Sequence, residues 1–85
     1  MRDLEYRILY KSSVERDFKQ IEINQRKRII KKIETVLSQD PHKGKQLKSE
    51  YKGFWRIRTG DYRVVYRIMQ KDVVIVAVGD RKRGV

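Results

Sequence analysis

Three patterns of apolar and polar positions divide the chain. From Leu4 to Tyr10 the residues alternate, with Leu4, Tyr6 and Ile8 on one side, which predicts a first strand. Val14, Phe18 and Ile21 then recur at i, i+4 and i+7, the spacing of a helix that buries one stripe. Ser12 with Glu15 reads as a capping box, with Ser12 as N-cap, and the helix is expected to end near Glu22-Ile23. Asn24 is the expected N-cap of a second, longer helix, in which Ile29, Ile30, Ile33, Val36 and Leu37 keep the helical period. Arg26, Lys27, Arg28, Lys31 and Lys32 run between them and must face outward. Asp40-Pro41 stops this helix, because the residue before a proline avoids the α region.

His42 to Lys52 is polar and lysine-rich, with Leu47 and Tyr51 as its apolar anchors, and reads as a surface loop. From Phe54 to Ile68 two strands rich in aromatic and β-branched residues meet at a tight turn, Thr59-Gly60-Asp61. Val73 to Val78 is an unbroken apolar run that suits a strand buried on both faces. The order β-α-α-β-β-β predicts one α+β domain, a helical hairpin packed on a four-stranded, mainly antiparallel sheet. Neither helix is long enough to hold together alone in water, so both must pack on the sheet.

Charge sharpens this picture. Of the 85 residues, 22 are Lys or Arg and 11 are Asp or Glu, a formal net charge of +11. The surplus is uneven: residues 1–40 carry about +3, and residues 41–85 carry the remaining +8 or so. Such an excess repels itself and favours a polyanion or an acidic protein as partner. No apolar run approaches the roughly 20 residues that span a membrane. The first residues, Met1-Arg2-Asp3-Leu4-Glu5, do not read as a signal peptide, and the expected setting is the cytoplasm. With no cysteine there is neither a disulfide nor a thiolate metal site, and a lone His42 cannot build a zinc site. No glycine-rich phosphate loop is present, and no cofactor is expected.

What remains is a constellation of cations on strands. Alternate strand residues share a face. Tyr62, Val64, Tyr66 and Ile68 therefore oppose Arg63, Val65 and Arg67, while Trp55 and Ile57 oppose Phe54, Arg56 and Arg58. A guanidinium on a strand needs solvent or an anion. Any one of these arginines could snorkel or pair with Glu50 or Asp61. Four together, in a half with only four acidic residues, point to RNA phosphate. Fixed cations suit RNA cleavage by its own 2′-hydroxyl, because they stabilise the charge that grows on the phosphorus in the transition state. Arginine is a poor base, so a base would have to be Lys52, His42 or Asp80.

Over nearly its whole length the chain resembles the RelE/ParE toxin superfamily of toxin–antitoxin systems. The most specific segments are Arg56-Ile57-Arg58-Thr59-Gly60-Asp61-Tyr62-Arg63-Val64-Val65-Tyr66 and Val78-Gly79-Asp80-Arg81-Lys82. The opening strand, the Val14–Phe18 helix, the Asp40-Pro41 stop and Gln46-Leu47-Lys48 also match its layout. RelE-type members enter the ribosomal A site and cleave mRNA without metal. The resemblance implies that Arg56, Arg63 and Arg81 bind the scissile phosphate, with Lys52 near a further family lysine. RNA contact would extend to Lys45, Lys48, Arg58, Lys82 and Arg83. The implied partners are the ribosome with its mRNA and a cognate acidic, RelB-like antitoxin.

The chain departs from that pattern twice. Many relatives carry a tyrosine a few residues after the late arginine, where this chain has Arg83-Gly84-Val85, and Asp80 stands where relatives often have histidine. The proton chemistry is therefore expected to differ from theirs. Two other readings stay open: a ParE-like inhibitor of DNA gyrase, and a catalytically weakened toxin homologue that binds RNA.

Overall fold

The alternation of Tyr62, Val64, Tyr66 and Ile68 with Arg63, Val65 and Arg67 sets the sidedness of the sheet. The computed structural model describes residues 5–80. Its strands are β1 (Arg7–Tyr10), β2 (Lys45–Gln46), β3 (Phe54–Thr59), β4 (Tyr62–Met69) and β5 (Asp72–Asp80). They lie in the order β1-β5-β4-β3-β2. β1 runs parallel to β5, and every other pair is antiparallel. Helices α1 (Ser12–Lys19) and α2 (Ile23–Lys32) follow β1, and a π-helical turn, Ile33–Leu37, prolongs α2. This is the predicted α+β class with one more strand. The fifth is β2, inside the stretch read as a loop, which also holds 3₁₀ turns at Pro41–Lys43 and Ser49–Tyr51. Two residues are too few to show alternation, so the sequence carries no strand signal there.

Both helices cover the same side of the sheet. Val14 of α1, Ile21 just beyond it, and Ile29, Ile33 and Leu37 of α2 and its π turn meet Ile57, Val64, Tyr66, Val73, Ile75 and Val78 in one core. Ile29, Ile33 and Leu37 recur every fourth residue, which keeps them on one stripe through the π turn. Tyr6 and Ile8 pack against this core as the alternation of the first strand requires, while Leu4 lies outside the described residues. Val74, Val76 and Ala77 are only half-buried, so β5 is central in the sheet but covered by helices on one side alone. The expectation of burial on both faces is corrected accordingly.

β5 changes sides part-way. Val65 faces Ala77 and Tyr66 faces Ile75, so Val76 is one residue extra to the ladder. Before this bulge the odd-numbered Val73 and Ile75 reach the core, and after it the even-numbered Val78 does. β1 pairs with β5 only as far as Ile75. Beyond that point the Asp17 carboxylate of α1 accepts the Val78 N–H at 3.0 Å, so a side chain takes over where the neighbouring strand stops.

The helix starts also differ from expectation. Lys11, in extended conformation and without a side-chain cap bond, precedes α1, and Ser12 is already helical. At α2 it is Glu22 that caps, its Oε1 accepting the Asn24 and Gln25 N–H groups at 3.1 and 3.3 Å. A carboxylate there also meets the positive end of the helix dipole. The first helix ends at Lys19, short of the predicted Glu22-Ile23. Gly60, at φ +63°, makes the predicted turn between β3 and β4. Among the described residues no helix is long and apolar enough to cross a membrane.

Ile33→Ala, at a fully buried position, should lower stability by about 2–5 kcal/mol through the cavity it leaves. Ile23→Ala, at a position 53% exposed, should stay within about 0.5 kcal/mol. Urea midpoints at unchanged m-value measure both; equal shifts would overturn the core described here.

Candidate functional site

Strand register turns the scattered cations into rows. On the side of the sheet away from the helices, Arg58 of β3 stands opposite Arg63 of β4, and Arg63 stands opposite Gly79 of β5. The next row is Lys45 of β2, Arg56, Val65 and Ala77. The third is Phe54, Arg67, Val74 and Leu9, with the Arg67 guanidinium 5.3 Å from the centre of the Phe54 ring. Five cationic side chains thus share one face, and no carboxylate or imidazole belongs to these rows. Like charges directly opposite one another are destabilising. Arg63 is half-buried, and its Nε has no hydrogen-bond partner. Gly79, the third member of its row, presents no side chain, and a Cβ there would meet no atom within 4 Å. Arg63 therefore borders an open cleft over Gly79, which Asp17 of α1 also lines with its carboxylate engaged by the Val78 N–H.

The same cations reach round the edge of the sheet. β2 pairs only with Trp55 and Arg56, which leaves the edge of β3 open at Ile57 and Arg58. There a groove of about 490 Å³ is lined by Lys32, Val36, Lys43, Gly44, Lys45, Arg56, Ile57 and Arg58, with no acidic residue among them. Lys32 Nζ donates to the Arg58 carbonyl at 2.8 Å, which ties the second helix to this edge.

A buried phenol holds the wall of that groove. Tyr66, fully buried, donates from its hydroxyl to the Pro41 carbonyl at 2.6 Å. The hydroxyl also accepts from the Gly44 backbone. Gly44 sits so close that an added Cβ would press on the Tyr66 hydroxyl and come within 2.6 Å of the Arg56 carbonyl. Only glycine fits, and this close approach lets Lys45 enter the sheet beside Arg56. Trp55 packs on the Tyr66 ring, centroids 6.5 Å apart, and takes the edge of the His42 ring at 5.3 Å. The half-buried Trp55 ring is thus held by packing on both neighbours.

A family model for the ParE toxin of the type II toxin–antitoxin system parDE matches residues 5–85. The chain belongs to that family. It is the toxin component of a type II toxin–antitoxin system. Among solved structures, the toxin–antitoxin complex RelBE2 from Mycobacterium tuberculosis contains a chain 28% identical to this toxin. The match covers 94% of this toxin and 95% of that chain, at a TM-score of 0.87. The archaeal RelE–RelB complex from Pyrococcus horikoshii matches at 25% identity, covering 93% and 98%, with a TM-score of 0.72. The chromosomal ParDE system of Pseudomonas aeruginosa shares the fold, at a TM-score of 0.75 over 92% and 98%, with 13% identity. No curated protein matches the toxin.

Of the site residues expected from sequence, the toxin's sheet brings together Arg56, Arg58, Arg63 and Lys45. Lys52 and Lys48 are exposed and flank the Ser49–Tyr51 turn that feeds the Phe54 end of β3, the end opposite Arg58. Arg81, Lys82 and Arg83 lie outside the described residues. The three candidate bases are dispersed. His42 packs on Trp55, Lys52 sits beyond the start of β3, and Asp80 pairs with Tyr62 and lines a cleft with Asp17 beside α1. Sequence reading missed Lys32, Lys43 and Gly44. They converge only through tertiary structure, and the close packing of Gly44 leaves no trace in local pattern.

Burial pushes the Tyr66 hydroxyl up to about 12, against the help its anion would draw from the Gly44 N–H. Tyr10 is likewise raised to about 12 by burial, with Glu34 adding to it. The folded chain holds these protons more tightly than the unfolded chain, whose tyrosines titrate near 10. Their stabilisation is thus complete below about pH 10 and lost as pH climbs toward about 12. Tyr66→Phe should flatten part of that alkaline loss in a pH series of thermal melts. At neutral pH it should cost about 1–3 kcal/mol, because the Pro41 carbonyl loses its donor. A neutral-pH stability equal to wild type would show that this bond does not hold the loop.

Proposed function

We propose that the toxin is a ribosome-dependent endoribonuclease that cleaves mRNA in the ribosomal A site and so stops translation. The observation that supports this reading is the register opposition of Arg58 and Arg63, flanked by the Lys45–Arg56 pair, with no carboxylate in register with either pair. In the reaction the 2′-oxygen attacks the adjacent phosphorus and loses its proton. The bond from phosphorus to the 5′-oxygen breaks, and that oxygen gains a proton. Charge on the non-bridging oxygens rises as the pentacovalent state forms. Arg63 and Arg56 hold those oxygens, and Arg81 keeps the role the resemblance implies. Arg58 and Lys45 neutralise neighbouring phosphates, Lys48, Lys82 and Arg83 extend backbone contact, and Lys52 is a further catalytic cation by the resemblance. The arginines are pre-positioned by strand pairing, so they stabilise charge without reorganising. They do not accept the proton, which leaves through water or a ribosomal group.

An acidic, RelB-like antitoxin is the natural inhibitor of such a face, since the solved relatives from Mycobacterium tuberculosis and Pyrococcus horikoshii are held in toxin–antitoxin complexes. Action on ribosomes implies a cytoplasmic setting. The family description names ParE, which supports gyrase inhibition as the second reading.

Primer extension on mRNA from translating ribosomes separates these readings. Wild type should give discrete cuts that require ribosomes. Arg63→Ala should reduce them by about 10²–10³-fold, the usual loss on removing one donor to a transition-state oxyanion. Unchanged cutting by Arg63→Ala would refute the assignment of the site. No cuts together with blocked gyrase supercoiling would instead establish the gyrase reading.

A further inference from the structure

The groove at the edge of β3 extends beyond the site just described, and two of its cations, Lys32 and Lys43, have no role there. Lys32 comes from the second helix and Lys43 from the turn anchored by Tyr66, and both line it. Lys45, Arg56 and Arg58 line it as well while also standing on the open face of the sheet. The two cationic surfaces are therefore continuous around the edge of β3.

Two occupants have the right charge, an acidic peptide and a nucleic-acid backbone. A peptide at an open sheet edge gains its affinity by pairing with the exposed strand. That route is obstructed here, because Lys32 Nζ already sits on the Arg58 carbonyl at 2.8 Å. A lysine placed on an edge is also a common way to blunt it against strand addition. The ammonium has three donors and spends one on that carbonyl, so the others can meet phosphate oxygens. The groove gathers five cations with no acidic residue in its lining, as a run of backbone phosphates requires.

We propose that this groove takes the sugar–phosphate backbone of the RNA segment that flanks the scissile phosphate. The assignment rests on the endonuclease reading for the identity of the strand, and on Lys32 and Lys43 for its path. The strand crosses the open face at Arg58 and Arg63, turns over the β3 edge at Lys45 and Arg56, and runs between Lys32 and Lys43.

The test is the salt dependence of binding to a short 2′-O-methylated oligoribonucleotide, which binds but cannot react by 2′-attack. Lys32→Gln with Lys43→Gln should make the slope of log affinity against log salt shallower by about 1.4, near 0.7 for each cation removed. Because Lys32 also bonds main chain, Lys43→Gln alone provides a second measure, with a change of about 0.7 expected. Lys27→Gln with Lys31→Gln, two exposed α2 positions outside the groove lining, should leave the slope as in wild type. Equal changes in both pairs would mean general charge attraction and overturn the proposal. An unchanged RNA slope, with weaker binding of a polyglutamate peptide to the groove variant, would give the groove to an acidic protein instead. Ribosomal cutting by wild type with no slope change in the groove variant sinks the groove alone. A shallower slope with no cutting by wild type supports the groove and overturns only the nuclease reading.

Discussion

The bond from the Tyr66 hydroxyl to the Pro41 carbonyl joins the middle of the sheet to the segment that follows the second helix. Tyr66 is fixed in the core by Ile75 on one neighbouring strand and Trp55 on the other, so its hydroxyl is a rigid post. Pro41 and Gly44 are tied to that post. The chain between them has little freedom, and it delivers Lys43 and Lys45 to the edge of β3. It supplements the short pairing of β2 with β3 and the Leu47 N–H bond to the Phe54 carbonyl. The cationic edge depends on an uncharged hydrogen bond in the core.

The charges themselves oppose folding. Arg58 and Arg63 face each other across a strand pair, as do Lys45 and Arg56, and electrostatics alone would separate them. Backbone pairing and the apolar residues on the opposite side hold them in place: Ile57, Val64 and Tyr66 alternate with the cations and are locked under the helices. In the proposed site a bound anion would relieve this repulsion, and a cluster preorganised by strand pairing would need little rearrangement to bind one. A surface bond such as Arg7 to Asp72, at 3.0 Å, has no comparable role because it is exposed and self-satisfied.

Much of this was legible because strand alternation is a local property. The period from Tyr62 to Ile68 separated core from arginine face without any tertiary information, and Ile29, Ile33 and Leu37 announced their helix stripe in the same way. Helix starts were less legible. Asn24 is the preferred cap type and glutamate is not, and only the path of the chain after Ile21 brings the Glu22 carboxylate to the free N–H groups. The run Val73–Val78 hid a bulge, since a β-branched sequence looks the same with or without an extra residue. The groove was illegible because Lys32 and Lys43 read as solvent-facing lysines until the π turn and the Tyr66 anchor bring them together.

The bulge at Val76 also bears on how sequences of this fold should be compared. Because it inverts the facing of every later residue of β5, Gly79 lies beside Arg63 and Val78 lies in the core. Removing one residue there would exchange those two environments for the rest of the strand. Two chains can therefore agree in three dimensions while a gapless alignment sets a core position of one against a surface position of the other. Chain length between Ile75 and Gly79 acts as a reading frame for the end of the sheet.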